Sequence, residues 1–544
     1  MGAYHPRALY ESVKTRFERL HVVLGTRFML LTMLLEGGMQ GGIFAGGASG
    51  FVGAPIAFLL REFGLRASRI QVLKTIAISP WALKPLIGMI SDTLYLGGYN
   101  KIPYILCSTV LAALACTALF LFYPLPPVAL TLLFFFMFLQ VALTDLLLEG
   151  KCAEKTRDNP DISPQLVPFV QFGGCLFQFL SIMLVGLMIE HVPLNYIYLV
   201  PIPAFLLVLC PIYKNWLEDE ERLGGLSNLC GRWGWYTTRL APEAGALPIV
   251  GIDTQKLREN RNAFLLAGAI GCIALINNGL GLIELDTLWL FISSVVCAVL
   301  MIGLFFALID RRIAKIQSFV IIQNMFSVSL ESAAFFFYTD DATQYPEGPH
   351  FSTFFYVSVM GVVGIALALV GIVTYSLFMS EWKYRRLFLV TNLLYIAVSS
   401  TNILFFRRLN VKMGIPDTVF VIGTEALQVI TGVWSSMPAS VMMLQLCPRG
   451  VESTVYALLA GSANLGMSLA NYQGAYVLDA LGIKPNATAG ESHQFDNLWI
   501  AALIATLLPL IPLVTIPFLI PDASQTDRLL DDCHGEEFVP YEEL

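Results

Sequence analysis

Lys84 is the residue of this chain with the most to explain. It sits in a predominantly apolar run that begins at Pro80, breaks at Pro85 and leaves through Gly88, Ser91 and Asp92. An ammonium near the middle of an apolar span costs roughly 2.5 to 3.5 kcal/mol on insertion scales, so it must face protein, water or a ligand and not lipid. Groups able to answer it recur at helical spacing. Glu36 and Gln40 lie one turn apart, as do Asp145 and Glu149, with Lys151 just beyond. Asn324, Ser327 and Glu331 fall at i, i+3 and i+7, the spacing of one polar helix face, and Asn464, Ser468 and Asn471, at i, i+4 and i+7, mark another. Glu36, Gln40, Lys84, Asp145, Asn324 and Glu331 are therefore candidates for binding a polar ligand or carrying a proton. Asp92, Glu149, Lys151 and Arg449, near the ends of apolar runs, are candidates for charged gates. Structural ion pairing and helix-to-helix hydrogen bonding are the competing readings of the same residues.

The elements that would hold these groups are membrane spans. Apolar residues make up 56% of the chain and charged residues only 13%, far from the balance of a soluble domain. A ruler of about 20 apolar residues per span reads fourteen in an order of six, two and six. The first six run over 26–58, 68–91, 102–123, 127–150, 164–189 and 195–213; two more, 263–285 and 288–309, share a very short connection. The last six are 316–338, 352–378, 387–406, 417–446, 452–480 and 498–520. The expected organisation is a cytoplasmic N-terminus (1–25), a six-helix bundle (26–213), a cytoplasmic linker (214–262), two additional helices (263–309), a second six-helix bundle (310–520) and an acidic tail (521–544). Lys and Arg are denser in the loops this arrangement leaves inside, which puts both termini in the cytoplasm. The sequon at Asn486-Ala487-Thr488 then falls in the last outer loop, a glycosylation candidate.

The tail holds eight acids against Arg528 alone, which accounts for the whole net charge of −7 and implies a solvated segment. Arg7, Lys14, Arg16 and Arg19 precede a run too long for a signal peptide, so the first span reads as its own anchor. Ten cysteines avoid the predicted outer loops and form neither CxxC nor a Cys/His cluster, so no disulfide, metal site or cofactor is expected. Phosphate-loop, HExxH and GxSxG motifs are missing from the sequence. Enzyme chemistry and ATP-driven transport by this chain are disfavoured, and a secondary carrier is the economical reading. Gly38, Gly42, Gly46 and Gly50 form a stripe at every fourth position, expected to let another helix approach closely. Asn277 and Asn278, inside the first additional helix, either bond to the bundle or line a lipid-exposed groove.

The two six-span blocks are weakly alike. Each carries a glutamate in its first span, Glu36 or Glu331, and each second span exits into a charged turn. An all-α polytopic protein of the major facilitator type, two six-helix bundles plus two extra helices, follows from that layout. Trp81, Lys84-Pro85, Gly88, Ser91-Asp92, Gly98-Tyr99 and Pro103-Tyr104 resemble the signature of the folate-biopterin transporter family. Thr144-Asp145-Leu146-Leu147 with Glu149-Gly150-Lys151 resembles the fourth-span motif of its protozoan members, although Asn100-Lys101-Ile102 stands where many members have arginines. The resemblance implies uptake of folate or unconjugated pterins such as biopterin by proton symport with alternating access. Glu36, Asp145 and Glu331 would then serve pterin recognition or proton coupling, and Lys84 would bind a substrate anion or neutralise one of them. The implied partners are the substrate, protons and a lipid bilayer, with no nucleic acid, in a monomer at the plasma membrane. A carrier of another organic solute, such as S-adenosylmethionine or a nucleoside-like compound, stays open, as does a transport-dead sensor or scaffold.

Overall fold

The computed structural model of the chain describes residues 18, 21–44, 50–158, 163–219, 250–283, 285–379, 381–446 and 452–525. Arg449 and most of the acidic tail lie outside the described residues. The helix that starts at His21 continues as α1 (Met33–Phe44), which is wound as a π-helix. There follow α2 (Pro55–Arg61), α3 (Ala67–Ile78), α4 (Lys84–Thr93), α5 (Ile102–Phe122), α6 (Pro127–Asp158), α7 (Ser163–His191) and α8 (Pro201–Tyr213). A short strand β1 (Leu94–Leu96) pairs antiparallel with β2 (Val250–Ile252), tying the turn after α4 to the region before α9 (Thr254–Glu259). The additional hairpin is α10 (Arg261–Leu282) and α11 (Thr287–Leu308).

The remaining helices are α12 (Arg311–Met325), α13 (Glu331–Thr339), α14 (Met360–Phe378), α15 (Tyr384–Ser399), α16 (Thr401–Phe406), α17 (Leu409–Lys412), α18 (Asp417–Gln445), α19 (Glu452–Ala480), α20 (Leu498–Leu507) and α21 (Leu510–Leu519). Among the described residues, eleven helices, not fourteen, are long and apolar enough to cross a membrane unaided. Two of the predicted spans miss that bar because they are interrupted. The span read at 68–91 is α3 and α4, separated by a single 3₁₀ turn at Ser79–Trp81 where Pro80 and Pro85 withhold backbone donors. The span read at 316–338 is α12 and α13, separated at 326–330.

Within the first half, α1 packs on α7 and α6, and α5 packs on α6 and α8; within the second, α18 packs on α14 and α15. Two seams join the halves: α19 lies along α3 and α4, and α7 lies along the π turn Phe355–Val359 and α14. Small residues permit both. A Cβ at Gly461 of α19 would collide with the Pro85 ring, and one at Gly186 of α7 with Ser358, whose hydroxyl donates to the Ile182 carbonyl at 2.7 Å. At the Gly38 end of the expected stripe the small-residue contact of α1 is offset by one position, and Gly46 lies outside the described residues. Gly37 and Gly41 meet Phe177 and Gly174 of α7, whereas Gly38 faces open space. A π-helix turns less per residue than an α-helix, so a stripe drawn with α-helical spacing drifts off the contact face.

The additional hairpin bonds to the bundle. Asn278 Nδ2 donates to Ser79 Oγ at 2.7 Å, and Tyr472 Oη of α19 donates to Asn278 Oδ1 at 3.1 Å. Asn277 stays within the hairpin, accepting from Ser293 at 2.9 Å. Leaving buried partners unmet costs about 1–3 kcal/mol. Asn278→Ala is therefore expected to lower the unfolding temperature of the detergent-purified protein, and an unchanged temperature would show that packing alone docks the hairpin.

Candidate functional site

Two polar centres lie between the helices. The first forms where α4 begins. Lys84, buried directly after the 3₁₀ turn, ion-pairs with the Asp145 carboxylate of α6, and its Nζ stands 3.7 Å from Glu149 Oε2 one turn further on. The ammonium also sits 4.6 Å from the centroid of the Trp81 ring, a cation–π contact. Glu36 of α1, itself buried, is within electrostatic reach of Lys84, Asp145 and Glu149. Glu36, Lys84, Asp145 and Glu149 are thus brought together, and three carboxylates share one lysine. Gln40 Oε1 is buried and accepts no hydrogen bond from any described residue.

The second centre is a cavity of about 680 Å³ between the halves, into which Lys74, Glu331, Glu425, Tyr338, Tyr356 and Tyr395 project. Lys74 of α3 donates to Glu331 Oε1 at 2.7 Å, an ion pair that crosses from one half to the other. Glu331 belongs to this centre and not to the Lys84 cluster. It owes its place to the break before α13, which also dissolves the expected continuous face. Asn324 ends on the α12 side and donates to the Ala463 carbonyl at 3.2 Å, while Ser327 lines the cavity.

The sequon end of the bundle is closed over this cavity. Arg61, the last residue of α2, donates to Thr339 Oγ1 at 3.0 Å, Asp340 Oδ1 at 2.8 Å and Gln344 Oε1 at 2.7 Å. Its guanidinium lies 5.7 Å and 5.5 Å from the Phe335 and Phe336 rings. Phe58 meets Phe335 edge-on with centroids 4.9 Å apart. Phe58 also lines a smaller outer cavity of about 430 Å³ together with Arg61, so this layer separates the two spaces. At the opposite end, Thr454 Oγ1 donates to Asp92 Oδ2 at 2.8 Å, and Lys256 Nζ is 3.7 Å from Asp92 Oδ1. Lys151 is buried near the end of α6. Asn486 is half-buried in the loop after α19, its Oδ1 accepting from Thr488 Oγ1 at 3.0 Å.

Sequence reasoning passed over Lys74, Glu425, Arg61 and Asp340. The rule that singled out Lys84, an ionisable group inside an apolar span, applies equally to Lys74 and Glu425. Arg61 and Asp340 stand at helix ends, where charge is ordinary and only the fold reveals the pairing.

Helices in two halves around a cavity at their interface, with a charged pair bridging it, make an all-helical polytopic fold of the major facilitator type. Solved structures agree on the fold. A peptide transporter POT in complex with sulfate superposes with a TM-score of 0.57 at 15% identity, covering 95% of this chain and 96% of the other. A D-xylose-proton symporter superposes with a TM-score of 0.52 at 14% identity, covering 91% and 98%. The chain belongs to the BT1 family, whose profile matches residues 46–537. Similar proteins include the probable folate-biopterin transporter 4 of Arabidopsis thaliana, 23% identical over 93% of this chain and 97% of that protein. The folate-biopterin transporter of Synechocystis sp. is 24% identical over 94% and 85%. The probable folate-biopterin transporter 6 of Arabidopsis thaliana is 30% identical, but over a segment that spans 40% of each chain.

Two outcomes test this geometry. Removing one partner of a buried ion pair costs about 3–5 kcal/mol by leaving the other charge uncompensated. Lys84→Ala should therefore unfold at markedly lower temperature than wild type, and adding Asp145→Asn should recover much of the loss; equal stability of the single and double variants would contradict the pairing. The second concerns Asp340, just outside the membrane-spanning helices. Burial pushes its carboxyl up to about 8, with Glu491 and Asp341 adding to the effect and Arg61 opposing it. A carboxyl whose pKa is raised in the folded form stabilises that form below its unfolded value and loses the contribution as pH rises through the folded value. Thermal stability should thus fall between about pH 4 and about pH 8, and Asp340→Asn should flatten that decline.

Proposed function

We propose that this protein carries folate or unconjugated pterins such as biopterin across a membrane, by proton symport with alternating access. The observation that carries the reading is the cavity bridged by Lys74 and Glu331 in a chain of the BT1 family. Several relatives bear the name folate-biopterin transporter. The volume suits a drug-sized organic solute, since ligand sites run from about 300 to about 1,000 Å³. Tyrosines offer faces for a planar ring, and Lys74 offers an ammonium for a substrate anion. Lys84 is engaged by Asp145, which favours charge neutralisation over anion binding for that residue.

In this reading Glu36, Lys84, Asp145 and Gln40 form the coupling centre, where, with Glu149 at its gate side, three carboxylates compete for one ammonium and a proton can tip the balance. Glu331 exchanges Lys74 for substrate, and Asn324 holds α12 against α19. Arg61 with Asp340 closes one end of the path. Asp92, Glu149, Lys151 and Arg449 belong to the gate at the other. The two bundles (26–213 and 310–520) rock about the cavity, with the hairpin (263–309) fixed to their seam. Both termini face the cytoplasm, Asn486 is glycosylated outside, and the protein works as a monomer in the plasma membrane.

Uptake of labelled folate and labelled biopterin by cells expressing the chain, at acidic and neutral external pH, tests the proposal. Accumulation should rise at acidic pH. In Lys74→Ala, Glu331→Gln and Glu36→Gln it should fall by about tenfold or more, the loss expected when a charge-assisted contact worth about 1.5–3 kcal/mol is removed, with surface expression retained. Failure of the surface-expressed wild type to accumulate either compound withdraws the cargo and leaves the fold.

A further inference from the structure

Glu425 is the carboxylate that neither the fold nor the ion pairs explain. It lies on α18 about two turns past Asp417, inside a helix apolar enough to span a membrane, and it lines the central cavity. It makes no hydrogen bond or ion pair with any described residue. Three polar groups lining the same cavity are engaged elsewhere. Lys74 holds Glu331 at 2.7 Å, the Gln428 amide donates to Asn402 Oδ1 at 2.9 Å, and the Thr424 hydroxyl donates to the Val421 carbonyl at 3.1 Å. A carboxylate in an apolar span costs free energy unless it meets a partner, and a ligand in the cavity can supply one.

The surroundings define that ligand. Tyr338, Tyr356 and Tyr395 all lie within electrostatic reach of the Glu425 carboxylate. Tyr338 and Tyr356 have ring centroids 5.9 Å apart, and Phe335 stands 5.9 Å from Tyr356, so one side of the cavity is an aromatic wall suited to a flat ring. An ionised carboxylate only accepts, through two oxygens that match two parallel N–H donors. The same cavity carries an ammonium, Lys74, for the other end of an extended molecule. A planar heteroaromatic with two adjacent N–H donors on one edge satisfies both requirements.

We infer that Glu425 accepts the 2-amino and N3 hydrogens of a bound 2-amino-4-oxopteridine, whose ring lies against Tyr338 and Tyr356. The inference rests on the proposed pterin cargo and deepens it by assigning ring recognition to a residue separate from the Lys74–Glu331 bridge. Orientation follows: the donor edge points to α18, and any carboxylates on the far side of the molecule point to α3.

The experiment compares binding of 2-amino-4-oxopteridine and of 2,4-dioxopteridine, which presents a carbonyl in place of the 2-amino group, to the purified full chain in detergent. Wild type should prefer the 2-amino ring by roughly tenfold to hundredfold, the range set by losing one charge-assisted hydrogen bond. In Glu425→Gln, whose amide replaces one accepting oxygen with a donating NH₂ group, the preference should shrink to about threefold or less, with the ligand-free unfolding temperature unchanged. A merely structural role would lower affinity for both rings and leave their ratio as it was, and that result overturns the assignment. Equal binding of the two rings by wild type overturns it without any variant. Binding of neither ring removes the pterin cargo and this inference together, whereas tight binding with an unaltered ratio in Glu425→Gln removes the inference alone.

Discussion

A backbone broken inside an apolar bundle must find partners for its freed N–H and C=O groups, because no water is there to take them. Among the breaks in the described helices, those at 79–83 and at 326–330 shape much of the architecture. At the first, Ser79 bonds to the Ile76 carbonyl at 2.7 Å and accepts from Asn278, and the Trp81 carbonyl accepts from Asn464 of α19 at 3.3 Å. At the second, the Ser329 carbonyl accepts from Gln71 Nε2 at 2.9 Å, and the same amide reaches the Asn471 carbonyl at 2.8 Å. Helix α19 serves both sites, and its glycines make that reach possible. A Cβ at Gly474 would strike Ser329 and Gln71, as one at Gly461 would strike Pro85.

Each break also creates a helix start within the bundle, and a charged residue occupies it. Glu331 opens α13, where a negative charge complements the dipole. Lys84 opens α4, where the dipole works against a positive charge. The two sites therefore have opposite needs. Glu331 is content with one lysine and keeps its carboxylate turned into the cavity, more than half accessible at 54%. Lys84 draws in Asp145 and Glu149 and the ring of Trp81, and is 5% accessible. One break yields a charge open to the cavity and the other a buried one.

Much of this was legible in the residue order. Intramembrane charge pointed to Lys84 and Asp145, whose pairing across 61 positions is the kind of contact an apolar span demands. Pro80 and Pro85 mark the first break. The second was hidden, because Phe326-Ser327-Val328-Ser329-Leu330 contains neither glycine nor proline. Periodicity counted through it places Asn324 and Glu331 on one face that does not exist. The π winding of α1 misled in the same way, shifting the glycine contact to Gly37 and Gly41. Asn278 was recognisable as polar in an apolar helix, but its choice of Ser79 and Tyr472 over a lipid-facing groove is a tertiary fact. So is the layer of Arg61, Phe58, Phe335 and Asp340, assembled from helix ends that look unremarkable in sequence.

The interrupted helix formed by α3 and α4 is where the two polar centres meet. Lys74 lies before the break and reaches across the interface to Glu331; Lys84 lies after it and stays within its own half on Asp145. Between them the chain is held by contacts from the hairpin and from α19, so the two lysines are fixed to different neighbours although ten positions apart. A continuous helix would carry both lysines as one rigid rod, and any shift at the cavity would drag the buried cluster with it. The 3₁₀ turn divides the rod, so that Lys74 on α3 answers to Glu331 of the opposite half while Lys84 on α4 answers to Asp145 of α6. Asn278, bonded at once to the turn and to α19, sits where the two segments meet.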